Sequence, residues 1–114
     1  MNELQNFNFN NSQLQTVVID DKSWFSGSQV AEILGYSNPS KALNDHVKQH
    51  QKLTLKYKAY NESLEALWTG KDYSDKVLIS EGGLNRLVMR SSLDKAEEFQ
   101  DWVTDEVLPT IRKH

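Results

Sequence analysis

The sequence predicts an α+β fold: a small antiparallel sheet built of hairpins, packed with about four helices that include a helix-turn-helix-like pair. Three observations carry this. The runs Leu14–Ile19, Lys52–Lys58 and Lys76–Ser80 are β-branched or strictly alternating, which is how half-buried strands read. Other stretches place apolar residues three and four apart, the spacing of amphipathic helices. With 114 residues, 38% hydrophobic and 25% charged, the chain reads as one domain over residues 1–114 with a single core.

Taken in order, Met1–Asn11 carries five asparagines, and Phe7 and Phe9 alternate with polar neighbours. This suggests a short edge strand with frayed first residues. Leu14–Ile19 is a firmer strand, Asp20-Asp21-Lys22 a turn, and Ser23-Trp24-Phe25 the returning strand of a hairpin. The chain then enters a helix with Ser26 as N-cap and Gln29 completing a capping box. Val30, Ala31, Ile33 and Leu34 form its apolar stripe, and Gly35 closes it in the left-handed conformation. Asn38 and Pro39 start a second helix, as cap and first helical residue, which is expected to run to about His50.

The two faces of that second helix differ. Leu43 and Val47 point inward with Ala42, His46 and His50 beside them. Lys41, Asn44 and Lys48 point outward, with Ser40, Asp45 and Gln51 nearby. Lysines that reach phosphates, an asparagine that can pair with adenine and a serine that suits either are the chemistry of a helix in a DNA major groove. They are equally the chemistry of a solvated helix face. The following strand sets Leu53, Leu55 and Tyr57 against Lys52, Thr54, Lys56 and Lys58. Such lysines either guard a sheet edge or form a wing that contacts phosphates.

Within Ala59–Asp75, Leu64, Leu67 and Trp68 fit a short helix or a strand, and the part from Gly70 onward reads as loop. Lys76–Ser80 is the expected partner strand of Lys52–Lys58. Glu81-Gly82-Gly83 makes a tight entry into a helix with Leu84, Leu87 and Val88 inside; it lacks the glycine spacing and Lys-Ser/Thr ending of a phosphate loop. Ser92 or Asp94 caps the last helix, which buries Ala96, Phe99, Trp102, Val103 and Val107 and is kinked or ended at Pro109.

Composition excludes several function classes. There is no cysteine, hence no disulfide and no thiolate zinc site. No apolar run approaches a membrane span, and the Asn/Gln-rich start is unlike a signal peptide, so a cytoplasmic protein is expected. His46 and His50 have the i, i+4 spacing of helical zinc ligands, but Val-Lys-Gln between them lacks the general-base glutamate, and neither metal nor cofactor is expected. No nucleophile, base and oxyanion site assembles, so the chain reads as a non-enzyme. Net charge is −3 and the pI near 5.5. The charge is segregated: five lysines against Asp45 between Lys41 and Lys58, six acids against Lys95 between Asp94 and Glu106. A molecule polarised in this way can still dock on a polyanion in one orientation.

Two blocks, WFSGSQVAEILGYSNPSKAL and LISEGGLNRLVMRSSLDKAEEFQDWVTDEVLPTIRKH, resemble the Bro-N domain, the N-terminal module of baculovirus Bro proteins and many bacteriophage antirepressors. Trp102-Val103, Glu106-Val107-Leu108-Pro109 and Ile111-Arg112-Lys113 match the family's ending most closely. The likeness runs from about Leu14 onward, with Ala59–Asp75 longer and less glycine-rich than the family's link. It implies an α+β domain, DNA binding and a role in phage gene control inside a bacterial host, ahead of a variable C-terminal domain. The family does not assign contact residues, so the helix face does. Ser40, Lys41, Asn44, Lys48 and Lys52 are the expected DNA-binding set, with Arg86 and Arg90, one turn apart, as a secondary pair. Expected partners are double-stranded DNA or, alternatively, a phage repressor protein bound without any DNA contact; a homodimer is a further option, and no membrane is involved.

Overall fold

A computed structural model of the chain describes residues 3–57, 64, 67, 68 and 72–111. Five strands form one antiparallel sheet in the order β1-β2-β3-β5-β4, where β1 is Glu3–Phe9, β2 Ser12–Ile19, β3 Lys22–Ser26, β4 Lys52–Leu55 and β5 Lys76–Ser80. The first three strands are a meander joined by two-residue turns. Asn10 and Asn11 (φ 49° and 70°) close one, Asp20 and Asp21 (φ 51° and 65°) the other. Positive φ at both central residues is the type I′ geometry whose twist suits a hairpin, and Asn and Asp tolerate it best among residues with a side chain.

The register puts Phe25 opposite Thr16 and Ile79, and Trp24 opposite Val17 and Ser80. The two faces of the sheet therefore bury different sets. Leu14, Phe25 and Ile79 pack under the helices, while Val17, Trp24 and Leu78 lie on the reverse face with Leu64, Leu67 and Trp68. The 59–75 segment thus contributes three buried side chains to the reverse face. Residues 58–63, 65, 66 and 69–71 lie outside the described residues, and residues 72–75 follow no regular element.

The helical layer comprises α1 (Gly27–Ile33), α2 (Pro39–His46), α3 (Glu81–Arg90) and a C-terminal helix. Ser26 precedes α1 as expected but makes no side-chain cap, and Gln29 does not complete a capping box. Its Oε1 instead accepts the Gln15 backbone N–H at 2.6 Å, tying α1 to β2. Gly35 closes the other end of α1 as its conformational freedom predicts. Gly35 has φ +84°, the Tyr36 N–H reaches the Ala31 carbonyl, and the Gly35 N–H reaches that of Glu32, each at 3.0 Å. These two bonds form a Schellman motif.

The C-terminal helix differs from expectation in three respects. Neither Ser92 nor Asp94 caps it. Lys95 precedes its first residue, the Ser91 hydroxyl donates to the Leu34 carbonyl at 2.7 Å, and backbone carbonyls of Leu93 and Lys95 meet the first N–H groups. Trp102 is half-buried rather than inside, beside the buried Ala96, Phe99, Val103 and Val107. Finally, Pro109 does not end the helix. The segment α4 (Ala96–Trp102) passes through a π-helical turn (Val103–Val107) into α5 (Leu108–Ile111), and the Leu108 N–H bonds the Val103 carbonyl. A proline has no N–H and its ring presses on the carbonyl four residues back, so the wider turn just ahead of it gives that carbonyl room.

Candidate nucleic-acid interface

The site begins with how α2 is seated. Gly27 opens α1, and a Cβ there would stand 2.9 Å from Leu43 Cδ1 and 3.0 Å from the Val77 carbonyl oxygen. Only a glycine lets α2 settle this closely onto α1 and β5. The Asn38 side chain accepts the Lys41 N–H at 3.2 Å, and Pro39 fills the first helical position. Ala42 and Leu43 are buried, which leaves Ser40, Lys41, Asn44 and Asp45 exposed along one side.

The helix stops earlier than the sequence suggested. Val47 (φ −104°, ψ 128°) is extended, so α2 ends at His46 and a 3-10 turn, Gln49–Gln51, follows. Val47 is buried all the same; the chain reaches the core there by straightening. Two expectations change as a result. Lys48 is off the α2 face, with its backbone N–H donating to Gln51 Oε1 at 3.0 Å. His50 is exposed rather than inward, and it shares no helix with His46, whose ring lies 5.7 Å from that of Tyr36.

Strand register then supplies the other wall. Lys52 pairs with Ile79 and Thr54 with Val77, both on the helix side of the sheet. The lysine face of β4 therefore turns toward α2 instead of away from the protein. Lys52 Nζ comes within 3.4 Å of the Leu43 carbonyl. The outcome is an open cleft of about 520 Å³ floored by Leu43 and Val77, bordered by Leu53 and rimmed by Ser40, Asn44, Gln49, Lys52 and Thr54.

Three of the expected residues, Ser40, Asn44 and Lys52, thus meet at one cleft, with Lys41 on the next exposed position of α2. Gln49 and Thr54 join them without having been singled out. The alternation of Lys52–Lys58 already put Thr54 on the lysine side, whereas the chain break that brings Gln49 in left no trace in the hydrophobic pattern. Arg86 and Arg90 lie elsewhere, on α3. Arg86 is half-buried and its Nε donates to the His46 carbonyl at 2.8 Å, so it fastens the end of α2. Arg90 is exposed near Tyr36, where it draws the phenol's pKa down against the larger upward push of burial.

The cations are unequal. Lys41 Nζ is 2.6 Å from Asp45 Oδ2, and this contact raises the lysine pKa and lowers that of the carboxyl. Lys76 is likewise paired with Asp72. Lys48 and Lys52 have no carboxylate partner among the described residues. Lys52 is therefore the uncompensated charge in the cleft.

The family model of the BRO family N-terminal domain matches residues 13–109. The chain is a member of the Bro-N family. A Haemophilus influenzae protein without an assigned function is 39% identical over 98% of this chain and 52% of its own length. Two putative Bro-N domain-containing proteins of Invertebrate iridescent virus 6, 201R and 289L, are 32% and 35% identical over 94% and 82% of this chain. The chain spans 28% and 24% of those two, so it corresponds to about half or less of each of these relatives. No solved structure matches. No helix among the described residues is long and apolar enough to cross a membrane.

Proposed function

We propose that this Bro-N domain is the DNA-binding module of an antirepressor-type transcriptional regulator of phage or prophage origin, acting in the bacterial cytoplasm and without enzymatic activity. The observation that carries the reading is the convergence of Ser40, Asn44 and Lys52 on one open cleft beside the exposed side of α2. In this reading Asn44 meets a base edge, Lys52 and Lys48 meet phosphates, and Ser40 serves either. Lys41 contributes less than its position suggests, because Asp45 already compensates it. Arg90 is a peripheral phosphate contact, and Arg86 acts through the seating of α2.

Fluorescence anisotropy with duplex DNA over a salt series tests this. Lys52→Ala should weaken binding to every duplex alike and reduce the salt slope by about one. Asn44→Ala should cost about 1–3 kcal/mol on a preferred sequence and much less on random DNA. Full-strength binding by both variants would move the interface elsewhere. A second reading, a protein-interaction module that inactivates a repressor without touching DNA, is favoured by the net charge of −3. Absence of duplex binding by the parent at low salt would select it.

A further inference from the structure

We propose that the outer edge of β1, together with the groove beside Trp102, is a docking surface that takes an extended lysine- or arginine-rich segment of a partner protein as a sixth strand. The proposal is independent of whether the α2 face meets DNA.

The edge itself is the first ground. Among the described residues β1 is hydrogen-bonded to β2 alone, at the end of the sheet. The two-residue turn at Asn10-Asn11 makes Phe9–Ser12 the first hydrogen-bonded pair, and alternation extends this to Phe7–Leu14, Gln5–Thr16 and Glu3–Val18. The backbone N–H and C=O groups of Leu4, Asn6 and Asn8 consequently point away from the sheet. A seven-residue strand of this kind normally carries a guard such as lysine, proline or a bulge. The opposite edge, β4, has Lys52; β1 has no lysine, arginine or proline, and Glu3 is its only charge.

The groove is the second ground. Phe7, Asn8, Trp102, Asp105, Glu106 and Pro109 line most of an open volume of about 520 Å³ between β1 and the C-terminal helix. Phe7 and Trp102 are both half-buried, with ring centroids 6.3 Å apart, and so leave an apolar floor for one side chain of an incoming strand. Asp101, Asp105 and Glu106 are exposed and make no ion pair among the described residues.

Charge selects the occupant. A second copy paired about a two-fold axis at β1 would bring the same carboxylates and Glu3 face to face, and like charges across an interface are unfavourable. An extended basic segment gains main-chain hydrogen bonds along the edge, an apolar anchor at Trp102 and complementary charge at the rim, the usual terms of strand addition.

Hydrogen exchange and anisotropy with three synthetic peptides of about the length of β1 test the idea: alternating Lys-Val, alternating Glu-Val and alternating Lys-Gly. The Lys-Val peptide should slow exchange of the Leu4, Asn6 and Asn8 amides about tenfold or more, and the other two should not. Asn6→Pro removes an outward N–H at a position where an edge strand tolerates proline, and it should abolish the protection. The exposed double variant Asp105→Lys/Glu106→Lys should do the same without touching the strand. The proposal is overturned if the Lys-Val peptide leaves the edge amides unprotected, if the Glu-Val peptide protects them equally, or if both variants bind like the parent. It is also overturned if those amides become protected with rising protein concentration alone, since the occupant would then be a second copy.

Discussion

Replacing Arg86 separates two roles that its charge alone would confuse. If Arg86 is a surface phosphate contact, Arg86→Ala leaves stability untouched and weakens DNA binding. The structure places it otherwise, as a clamp on the backbone. Its Nε bonds the His46 carbonyl 2.8 Å away, at the terminus of α2 where the helix has no further N–H to offer. A hydrogen bond from a charged donor contributes about 1.5–3 kcal/mol. Arg86 is half-buried and water can reach part of the vacated site, so the lower end, about 1.5 kcal/mol, is expected. For a domain of this size that is a fall in melting temperature of roughly 6 °C. Thermal denaturation followed by circular dichroism measures it, with Arg86→Lys as companion. The lysine variant keeps the charge without the guanidinium geometry and should lose much of the same stability. A melting temperature within about 1 °C of the parent for Arg86→Ala, well inside the expected shift, would refute the argument.

Three other outcomes are expected. Gly27→Ala should destabilise by about 1–2 kcal/mol, because the Val77 backbone oxygen cannot swing aside for the new methyl and the gain in helix propensity offsets only part of the clash; chemical denaturation reads this directly. Trp102→Ala should cost about 2–3 kcal/mol, below the value for a fully buried ring, since Trp102 is half-exposed yet touches Phe7, Phe9 and Phe99; a parent-like melting curve would detach the C-terminal helix from β1. For Lys41–Asp45 the sign follows from the carboxyl. Its folded pKa lies below the ordinary 3.8, so on the acid side the pair persists down to that value and is lost as pH falls through the lowered one. DNA affinity should therefore show no transition from this pair between about pH 5 and 8, whereas Asp45→Asn should strengthen binding and steepen the salt slope by up to about one.

Much of the scaffold was legible because its signals are local. The β-branched run of β2, the Asp-Asp turn, Gly35 and the Asn38-Pro39 start each act within a few residues. The strict alternation of β4 likewise gave its two faces. The end of α2 was not legible. Val47 lies on the inward side of a helical wheel and is also inward as an extended residue, so periodicity cannot tell the two apart. Lys48 and His50 were consequently assigned to a helix that had already stopped. The candidate site was only half visible for a related reason. Ser40 and Asn44 sit on one helix, but bringing Lys52 and Thr54 to them depends on the pairing of β4 with β5. That register is set by residues more than twenty positions away. Arg86 shows the same limit, since its partner carbonyl is forty positions distant in the chain.

The π-helical turn is an α-helix with one residue too many, and the apolar stripe keeps count of it. Phe99, Val103, Val107 and Ile111 recur every fourth position, a spacing that slips round a regular helix by about 40° at each step. The surplus residue takes back roughly one position of that slippage and keeps all four on the core side. Removing one exposed residue from the turn, such as Thr104, would leave spacings of four, three and four, which suit an unbroken α-helix. Pro109 would then stand in ordinary helical geometry, at about 3 kcal/mol or more. The extra residue and the proline are therefore linked: either one alone is a defect, and a shortened helix should be tolerated only when Pro109 is replaced as well.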